Sequence, residues 1–162
     1  MSERTILGVD PGLNITGFGV ISFSGKRLKL IDAGTIRTSS SNPITPRLTE
    51  LFHGLQGVIE RYSPEIMALE KIYSHYRHPT TAIIMGHARG VLCLAAGLRG
   101  IPVESIPASR VKKAVTGNGR ASKIQVNGMV RRIFGIRDEI KPLDVSDALA
   151  VALALYEEER HA

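Results

Sequence analysis

A short apolar stretch near the start of the chain, residues 5–12 with the sequence TILGVDPG, constrains the fold most. The apolar residues before Asp10 suit the interior of a buried β-strand. Pro11 and Gly12 end that strand, because proline lacks the backbone N–H that a sheet needs and glycine accepts positive φ. Asp10 is therefore expected at the carboxyl end of a central strand, where open α/β sheets place their chemistry. Taken alone, the segment favours a carboxylate that only caps the turn.

The pattern after the turn predicts a mixed sheet flanked by helices. Residues 14–23 suit a strand whose surface Gly17 and Gly19 keep low, and residues 28–36 suit a third strand after a short turn. Connections this short cannot make parallel crossovers, so these three strands are expected to be antiparallel. The remaining elements are expected to be a helix, a strand, a helix, a strand and three helices, over residues 46–62, 66–70, 79–98, 102–106, 108–116, 122–134 and 144–159. This order predicts an α/β fold with a five-stranded mixed sheet, the last two strands being parallel.

Length and composition indicate one soluble domain. The chain has 162 residues, which fits a single domain over residues 1–162. The single cysteine, Cys93, cannot form a disulfide within the chain, so nothing indicates an oxidising compartment. The first residues lack an apolar signal core, and the longest apolar patch, residues 91–98, is too short to span a bilayer. A cytoplasmic protein with no membrane partner is expected.

Positive charge is concentrated in one part of the sequence. The formal net charge is +6 and the isoelectric point is near 9.8, which indicates a polyanionic partner. From Ser105 through Arg137 there is no acidic residue. The basic residues of this stretch are Arg110, Lys112, Lys113, Arg120, Lys123, Arg131, Arg132 and Arg137. A solvated helix face is the ordinary explanation of a basic run, but the lack of acids over this length favours a phosphate-binding surface.

Carboxylates recur where predicted elements begin or end. Glu70 ends a strand as Asp10 does, so the two side chains meet at one edge of the sheet if these strands are parallel neighbours. Asp144 and Asp147 open the last helix and share one face, although helix capping would explain that pair equally well. Crowded carboxylates repel one another unless a cation neutralises them, and oxygen-only ligands fit Mg²⁺ or Mn²⁺. Two such ions about 3.5–4 Å apart clamp both oxygens of a phosphoryl displacement, so acids beside a basic surface predict a nuclease.

Several motifs occur together in a fixed order. They are GVDPG over residues 8–12, TGFGV over 16–20, ALE over 68–70, GHARG over 86–90, Lys112 with Val115, Lys123 with Gln125 and Val126, and DVSDALA over 144–150. Over nearly the whole chain they resemble the crossover junction endodeoxyribonuclease RuvC family, Holliday-junction resolvases of the RNase H-like superfamily. The resemblance implies a three-layer RNase H-like fold and hydrolysis of two symmetry-related phosphodiester bonds in a four-way DNA junction, during recombination and repair. It also implies a homodimer, two Mg²⁺ or Mn²⁺ ions per site, and work downstream of the RuvA-RuvB branch-migration complex.

The resemblance carries specific roles to residues of this chain. The family's catalytic and metal-binding acids correspond to Asp10, Glu70, Asp144 and Asp147. Some members carry histidine at the position of Asp144, so the site of this chain is fully acidic. Lys112 and Lys123 match basic residues near the scissile phosphate, and Lys123 is the candidate for stabilising transition-state charge. Tyr73 matches an aromatic that stacks on unpaired bases at the crossover, a contact worth roughly 1–3 kcal/mol per base. Further candidates for DNA contacts are Arg77, Lys113 and Arg120.

Two features of the sequence leave alternatives open. His75 and His78 lie in the loop after Glu70; a zinc site would need further ligands, so they are expected to touch DNA or to have no special role. Because a four-way junction has near two-fold symmetry, two cuts need two active sites at a fixed distance, which an isologous dimer supplies. The helix around Gly86 and Gly90 is the candidate dimer interface, and packing of that helix on its own sheet is the alternative.

Two other function classes fit part of the sequence. Asp10, Gly12 and Thr16 also resemble the first phosphate loop of actin-like and sugar-kinase ATPases, which would make the chain a nucleotide phosphotransferase. Such enzymes close two lobes around the nucleotide, and this chain is too short for two lobes and shows no second glycine-rich phosphate loop. A DNA-binding module without catalysis would explain the basic stretch but would leave the acids without a purpose.

Overall fold

The order of elements agrees with the order expected from the sequence. The structure is a computed structural model that describes residues 2–71 and 77–162. Its strands and helices are β1 (Arg4–Asp10), β2 (Ile15–Ser24), β3 (Arg27–Arg37), α1 (Ile44–Tyr62), β4 (Ile66–Glu70), α2 (Pro79–Gly97), β5 (Val103–Ile106), α3 (Ala108–Thr116), α4 (Lys123–Phe134) and α5 (Leu143–His161). The contacts expected of Tyr73 and His75 lie outside the described residues.

The five strands form one mixed sheet in the order β3-β2-β1-β4-β5. β1 pairs with β2, and β2 with β3, in antiparallel register. β4 lies parallel to β1 on one side and to β5 on the other. The predicted α/β class and strand directions are therefore confirmed, and β1 is the central strand of the sheet.

Strand alternation divides the core into two layers. Successive side chains of a strand point to opposite faces of its sheet. Leu7 and Val9 pack with the buried residues of α1 and α2 on one face. Ile6 packs with those of α3, α4 and α5 on the other face. The alternation places Asp10, four residues after Ile6, on the face that α5 covers.

Glycines let α5 lie directly on the sheet. A Cβ atom added to Gly17 would lie 2.0 Å from the carbonyl oxygen of Asp144, and one on Gly8 would lie 2.2 Å from that of Ala148. Farther along the same helix, a Cβ on Gly19 would lie 2.5 Å from the side chain of Leu149. The expectation that the glycines of β2 keep its surface low is thereby confirmed. α5 is apolar nearly all round because the sheet covers it on one side and α3 and α4 cover it on the other.

One helix begins earlier than expected. α1 starts at Ile44, two residues before Pro46, and Pro43 occupies the N-cap position. A proline in the first turn of a helix costs no hydrogen bond, because the first N–H groups have no partner within the helix. Pro46 therefore lies in the first turn, as expected, and is the third residue of the helix.

α2 is, by length and composition alone, apolar enough to cross a membrane, with a mean hydropathy of 1.2 over an 18-residue window of which 22% is buried. A core helix of a soluble protein passes the same test. Ala88, Leu92, Ala95 and Ala96 of α2 are fully buried against α1 and the sheet. Packing within the fold thus explains the apolar residues on the inner face of α2.

The outer face of α2 is an unpartnered strip. Ile83, Leu94 and Leu98 are 62%, 54% and 62% exposed. Gly86 and Gly90 share this face by helical spacing, and a Cβ added to either would meet no atom of the described residues within 4 Å outside the adjacent turns of its own helix. The glycines of α2 therefore do not serve packing within the chain. We call the face of Ile83, Gly86, Gly90, Leu94 and Leu98 the α2 strip.

Candidate active site

The acids expected from the sequence lie in one cleft of about 350 Å³. The charged side chains that line it are Asp10, Glu70, Lys71, Lys112, Lys123, Asp144 and Asp147. β1, β4, α3, α4 and α5 each contribute to this set, so the cleft forms only when all of these elements pack together. The structure thus brings together the four predicted acids and two of the predicted basic residues.

The strands position the first two acids. β1 and β4 are parallel neighbours whose register ends at Val9 beside Leu69. Asp10 and Glu70 each follow those residues, so both carboxylates extend from the same edge of the sheet on the same face. β1 and β4 are thus adjacent and parallel, as the predicted meeting of Asp10 and Glu70 requires.

The first turn of α5 positions the other two acids. Because Gly17 pairs with Asp10 across β1 and β2, the close approach of the Asp144 backbone to Gly17 brings the start of α5 over Asp10. The N-cap of α5 is Pro142, and no side chain caps this helix. Asp144 therefore does not act as the helix cap that the sequence left open as an alternative.

Thr16, rather than Asp10, secures the turn after β1. The N–H of Gly12 donates to the hydroxyl oxygen of Thr16 at 3.2 Å, and that hydroxyl donates to the carbonyl of Gly12. No hydrogen bond joins the Asp10 carboxylate to the turn in the part of the chain that the structure describes. The turn-capping interpretation of Asp10 is thereby disfavoured.

Burial and mutual repulsion keep the acids from ionising freely. Burial, followed by the charges of Asp147, Glu70 and Asp144, raises the pKa of Asp10 to about 8, against an ordinary value of 3.8. Burial and the charge of Asp147 raise the pKa of Glu70. Burial also raises the pKa of Asp147, against the opposing effect of Lys123. These shifts share one cause, the crowding of carboxylates in a partly desolvated cleft.

Two lysines provide positive charge at the cleft. The ammonium nitrogen of Lys123 lies 3.7 Å from the Oδ2 atom of Asp147, and its side chain is 74% exposed. Lys112 lines the same cleft and, with Lys123, opposes the rise in the pKa of Glu70. The capping box formed by Ser122 and Gln125 fixes the start of α4, and Lys123 is the first residue of that helix.

The remaining basic candidates lie outside the cleft. Lys113 and Arg120 are exposed, as are Arg77 and His78, which precede α2. Arg110 of the basic stretch is used in an ion pair with Glu158. Two lining residues, Lys71 and Met85, were not expected from the sequence. Lys71 directly follows Glu70, which is the signal that could have indicated it.

The chemistry of the donor set fits a hard divalent cation. The acids offer carboxylate oxygens, the ligands that Mg²⁺ and Mn²⁺ prefer, and the charges of Glu70, Asp144 and Asp147 each raise the pKa of at least one other acid. Within residues 2–71 and 77–162, no three His, Cys, Asp or Glu side chains form a ready-made metal cage. Mg²⁺ commonly binds through one or two carboxylates plus substrate phosphates rather than in such a cage. The residues present therefore fit a site that a phosphate substrate completes.

Comparison with known proteins decides the family. The family described as crossover junction endodeoxyribonuclease RuvC matches residues 6–155. The chain belongs to the RuvC family. The crossover junction endodeoxyribonuclease RuvC of Rhodopirellula baltica is 49% identical over 152 residues, which are 94% of this chain and 85% of that protein. The RuvC of Desulforamulus reducens is 45% identical, over 91% of this chain and 90% of that protein.

Solved structures of RuvC proteins agree. The structure of Thermus thermophilus RuvC in complex with a Holliday junction substrate has a TM-score of 0.92 and 32% identity, and covers 98% of this chain and 96% of that one. The yeast mitochondrial Holliday junction resolvase Ydc2 shares the fold alone, with a TM-score of 0.65 and 14% identity over 96% of this chain and 80% of that one. The predicted RuvC family, the RNase H-like fold and the endonuclease class are confirmed, and the nucleotide phosphotransferase alternative is not supported.

The raised pKa of Asp10 predicts a pH-dependent stability of the metal-free protein. Between about pH 4 and pH 8 the folded protein holds a proton that the unfolded chain has released, so stability falls as the pH rises through this range. Asp10→Asn removes this penalty. We expect the variant to exceed the wild type in Tm by a margin that grows from pH 5 to pH 8, since 1 kcal/mol shifts Tm by about 2–4 °C in a chain of this size.

Thermal unfolding in the presence of chelator measures this margin. Asp138→Asn, at an exposed acid that does not line the cleft, serves as the matched control and is expected to follow the wild type at every pH. Parallel Tm curves for wild type and Asp10→Asn would contradict the buried, proton-holding state of Asp10.

Proposed function

We propose that this RuvC-family endodeoxyribonuclease cuts two symmetry-related strands of a four-way DNA junction by metal-assisted hydrolysis. The observation that carries the proposal is the convergence of Asp10, Glu70, Asp144 and Asp147 in one cleft beside Lys123. The Thermus thermophilus RuvC is described in complex with a Holliday junction substrate, which supports the same substrate class for this chain. We propose that residues 1–162 act as one nuclease domain, in the cytoplasm where chromosomal DNA is repaired.

The four acids are the proposed metal ligands. Mg²⁺ or Mn²⁺, two ions per site, would be held by carboxylates from β1, β4 and α5. When bound, such ions polarise water and the scissile phosphate. Asp10 has a pKa of about 8, so it must release its proton to act as an anionic ligand near neutral pH. The mutual repulsion that raises these pKa values is relieved by a divalent charge, which couples metal binding to ionisation of the acids.

The lysines of the cleft are proposed to act on the phosphate. Lys123 is largely exposed at the first residue of α4, so its ammonium group can turn from Asp147 toward a phosphate placed over the acids. A positive charge held at that point stabilises the negative charge that grows on phosphate oxygens in the transition state. Lys112, which is half-buried in the cleft wall, is proposed to hold the neighbouring DNA backbone.

The exposed basic residues extend this surface. Lys113 and Arg120 lie on and after α3, and Arg77 lies before α2. We propose that they contact phosphates of the junction arms, and that Tyr73 stacks on unpaired bases at the crossover. We also propose that the RuvA-RuvB branch-migration complex delivers the junction to this nuclease.

A dimer would supply the second active site. The α2 strip presents large apolar side chains around glycines that leave open space, which suits close packing of two copies of the same helix. We propose that the α2 strip forms an isologous dimer interface. Two copies so related would present two clefts to the two strands of a junction with near two-fold symmetry.

Asp10→Asn tests the catalytic proposal directly. The amide keeps the shape of the side chain and removes its charge, so we expect cleavage of a synthetic four-way junction with Mg²⁺ or Mn²⁺ to fall at least about a thousandfold while junction binding persists. The measurement is single-turnover cleavage, with binding followed separately in chelator. Linear duplex of the same sequence is the substrate control, and Asp138→Asn is the protein control. Cleavage by Asp10→Asn at the wild-type rate would remove Asp10 from the site.

Salt dependence tests the basic surface. The logarithm of the junction-binding constant falls linearly with the logarithm of the salt concentration. Each lost phosphate contact makes this slope shallower by about 0.9. We expect the double variant Lys113→Ala/Arg120→Ala to bind the junction more weakly, with a slope smaller by about 1.8 if each residue holds one phosphate. The control variant Lys26→Ala/Arg27→Ala removes the same charge where the chain turns from β2 to β3. This turn lies at the opposite end of the strands from Asp10, so the variant is expected to leave the slope unchanged. Equal slopes for both double variants would contradict the assignment.

Sedimentation tests the dimer. Leu94→Glu places a charge in the α2 strip, where it would be buried between two copies, so we expect it to convert a dimer into a monomer. Ile31→Glu introduces the same charge at an exposed position of β3 and is expected to remain dimeric. A wild-type monomer at micromolar concentration, or a dimeric Leu94→Glu variant, would exclude this interface.

A further inference from the structure

Arg89 joins three elements next to the proposed metal site. It lies on α2 directly after Ala88, which is fully buried among the residues of α1, α2 and the sheet. One guanidinium nitrogen of Arg89 donates to the main-chain carbonyl of Glu70, the last residue of β4. Its other terminal nitrogen donates to the hydroxyl of Ser105 on β5, at 2.5 Å. The side chain therefore spans from α2 to the carboxyl-terminal ends of β4 and β5.

The carbonyl that Arg89 binds lies where the sheet stops. The parallel register of β1 and β4 ends at Val9 beside Leu69, one residue before Glu70. On the β5 side, the N–H of Lys71 still donates to the carbonyl of Ile106 at 2.9 Å. A strand end that lacks a partner on one side is free to fray, unless another group satisfies its carbonyl. The guanidinium of Arg89 supplies that group.

The main chain of Glu70 decides where its carboxylate lies. Asp144 and Asp147 are held by a buried helix, and Asp10, which also ends a strand, pairs with Gly17 on β2. Glu70 pairs with Ile106 of β5 but lies beyond the register with β1, and Arg89 binds its carbonyl. A fork of parallel N–H donors is a suitable support because both bonds fix the plane of the guanidinium.

We propose that Arg89 is a positioning residue that holds the end of β4 so that the Glu70 carboxylate stays in place to bind the metal. The proposal rests on the metal-dependent function proposed above and adds a supporting residue to its site. Arg89 touches the backbone of Glu70 rather than the reacting atoms. Groups that orient a metal ligand in this way typically change metal affinity or activity by about 10–100-fold when they are lost.

The test compares Arg89→Met with Arg89→Lys and a matched control. Methionine keeps the apolar stem and removes every donor, so we expect Mn²⁺ affinity to fall about tenfold, and kcat to fall while KM for the junction stays within about twofold. Lysine keeps one donor for the carbonyl of Glu70 and is expected to recover most of that loss. Arg99→Met removes the same charge just after α2, where Arg99 pairs with Glu60, and is expected to bind Mn²⁺ as the wild type does.

Two further measurements separate positioning from simple loss of charge or of stability. In metal-free protein, the amide of Lys71 is expected to exchange with solvent faster in Arg89→Met than in Arg99→Met, because the end of β4 is released. Ser105→Ala keeps Arg89 and removes one of its two acceptors, so it is expected to weaken Mn²⁺ binding by about threefold even if Arg89→Met fails to fold.

The outcomes distinguish this proposal from the one on which it rests. Failure of the wild type to bind Mn²⁺, with or without an uncleavable junction, would contradict the proposed metal site itself. Wild-type Mn²⁺ binding together with equal binding by Arg89→Met would contradict only the role of Arg89. Weaker junction binding by Arg89→Met in chelator, with unchanged Mn²⁺ affinity, would make Arg89 a DNA contact and would also overturn its positioning role.

Discussion

The site depends on the direct packing of α5 against β1 and β2. This packing requires Gly8, Gly17 and Gly19, because a Cβ atom at any of them would overlap atoms of the helix. At Gly17 the overlapping atom is the carbonyl oxygen of Asp144 itself. The separation between the acids of α5 and those of the strands is therefore set by the absence of side chains at the sheet surface, and the steric constraint acts at the cleft itself.

Close packing of the acids in the cleft lowers the folding stability of the protein through burial and electrostatic repulsion. Burial and mutual repulsion raise the pKa of Asp10, Glu70 and Asp147, and the positive charges of Lys123, Lys112 and Arg89 oppose these rises. Such a cleft destabilises the metal-free protein at alkaline pH. The same crowding favours the binding of a divalent cation, because the cation replaces repulsion between carboxylates by attraction to its own charge. The large apolar core on both faces of the sheet offsets the free-energy cost of these crowded acids.

The two faces of the sheet have different tasks. The face covered by α3, α4 and α5 carries the acids and the lysines, so the proposed catalytic and DNA-backbone contacts lie on one layer. The face covered by α1 and α2 supplies core packing and ends in the outward-facing α2 strip. Arg89 crosses between them, because it starts on α2 and reaches the strand end that carries Glu70. The proposed dimer surface and the proposed metal site are thus connected through a single helix.

Local residue patterns were sufficient to predict much of this protein. Apolar runs ended by Asp10-Pro11 and by Glu70 predicted the central strands, and helical spacing predicted Asp144 and Asp147 on one face, because these signals depend only on neighbours in the chain. Which acids meet, and at what cost in pKa, depended on the parallel register of β1 with β4 and on the seating of α5 over Gly17. The places of Met85 and Arg89 likewise required the tertiary structure, since each lies beside residues that are distant in sequence. The opening motif therefore specified a strand that ends in a carboxylate, and packing made that carboxylate part of an acidic cleft.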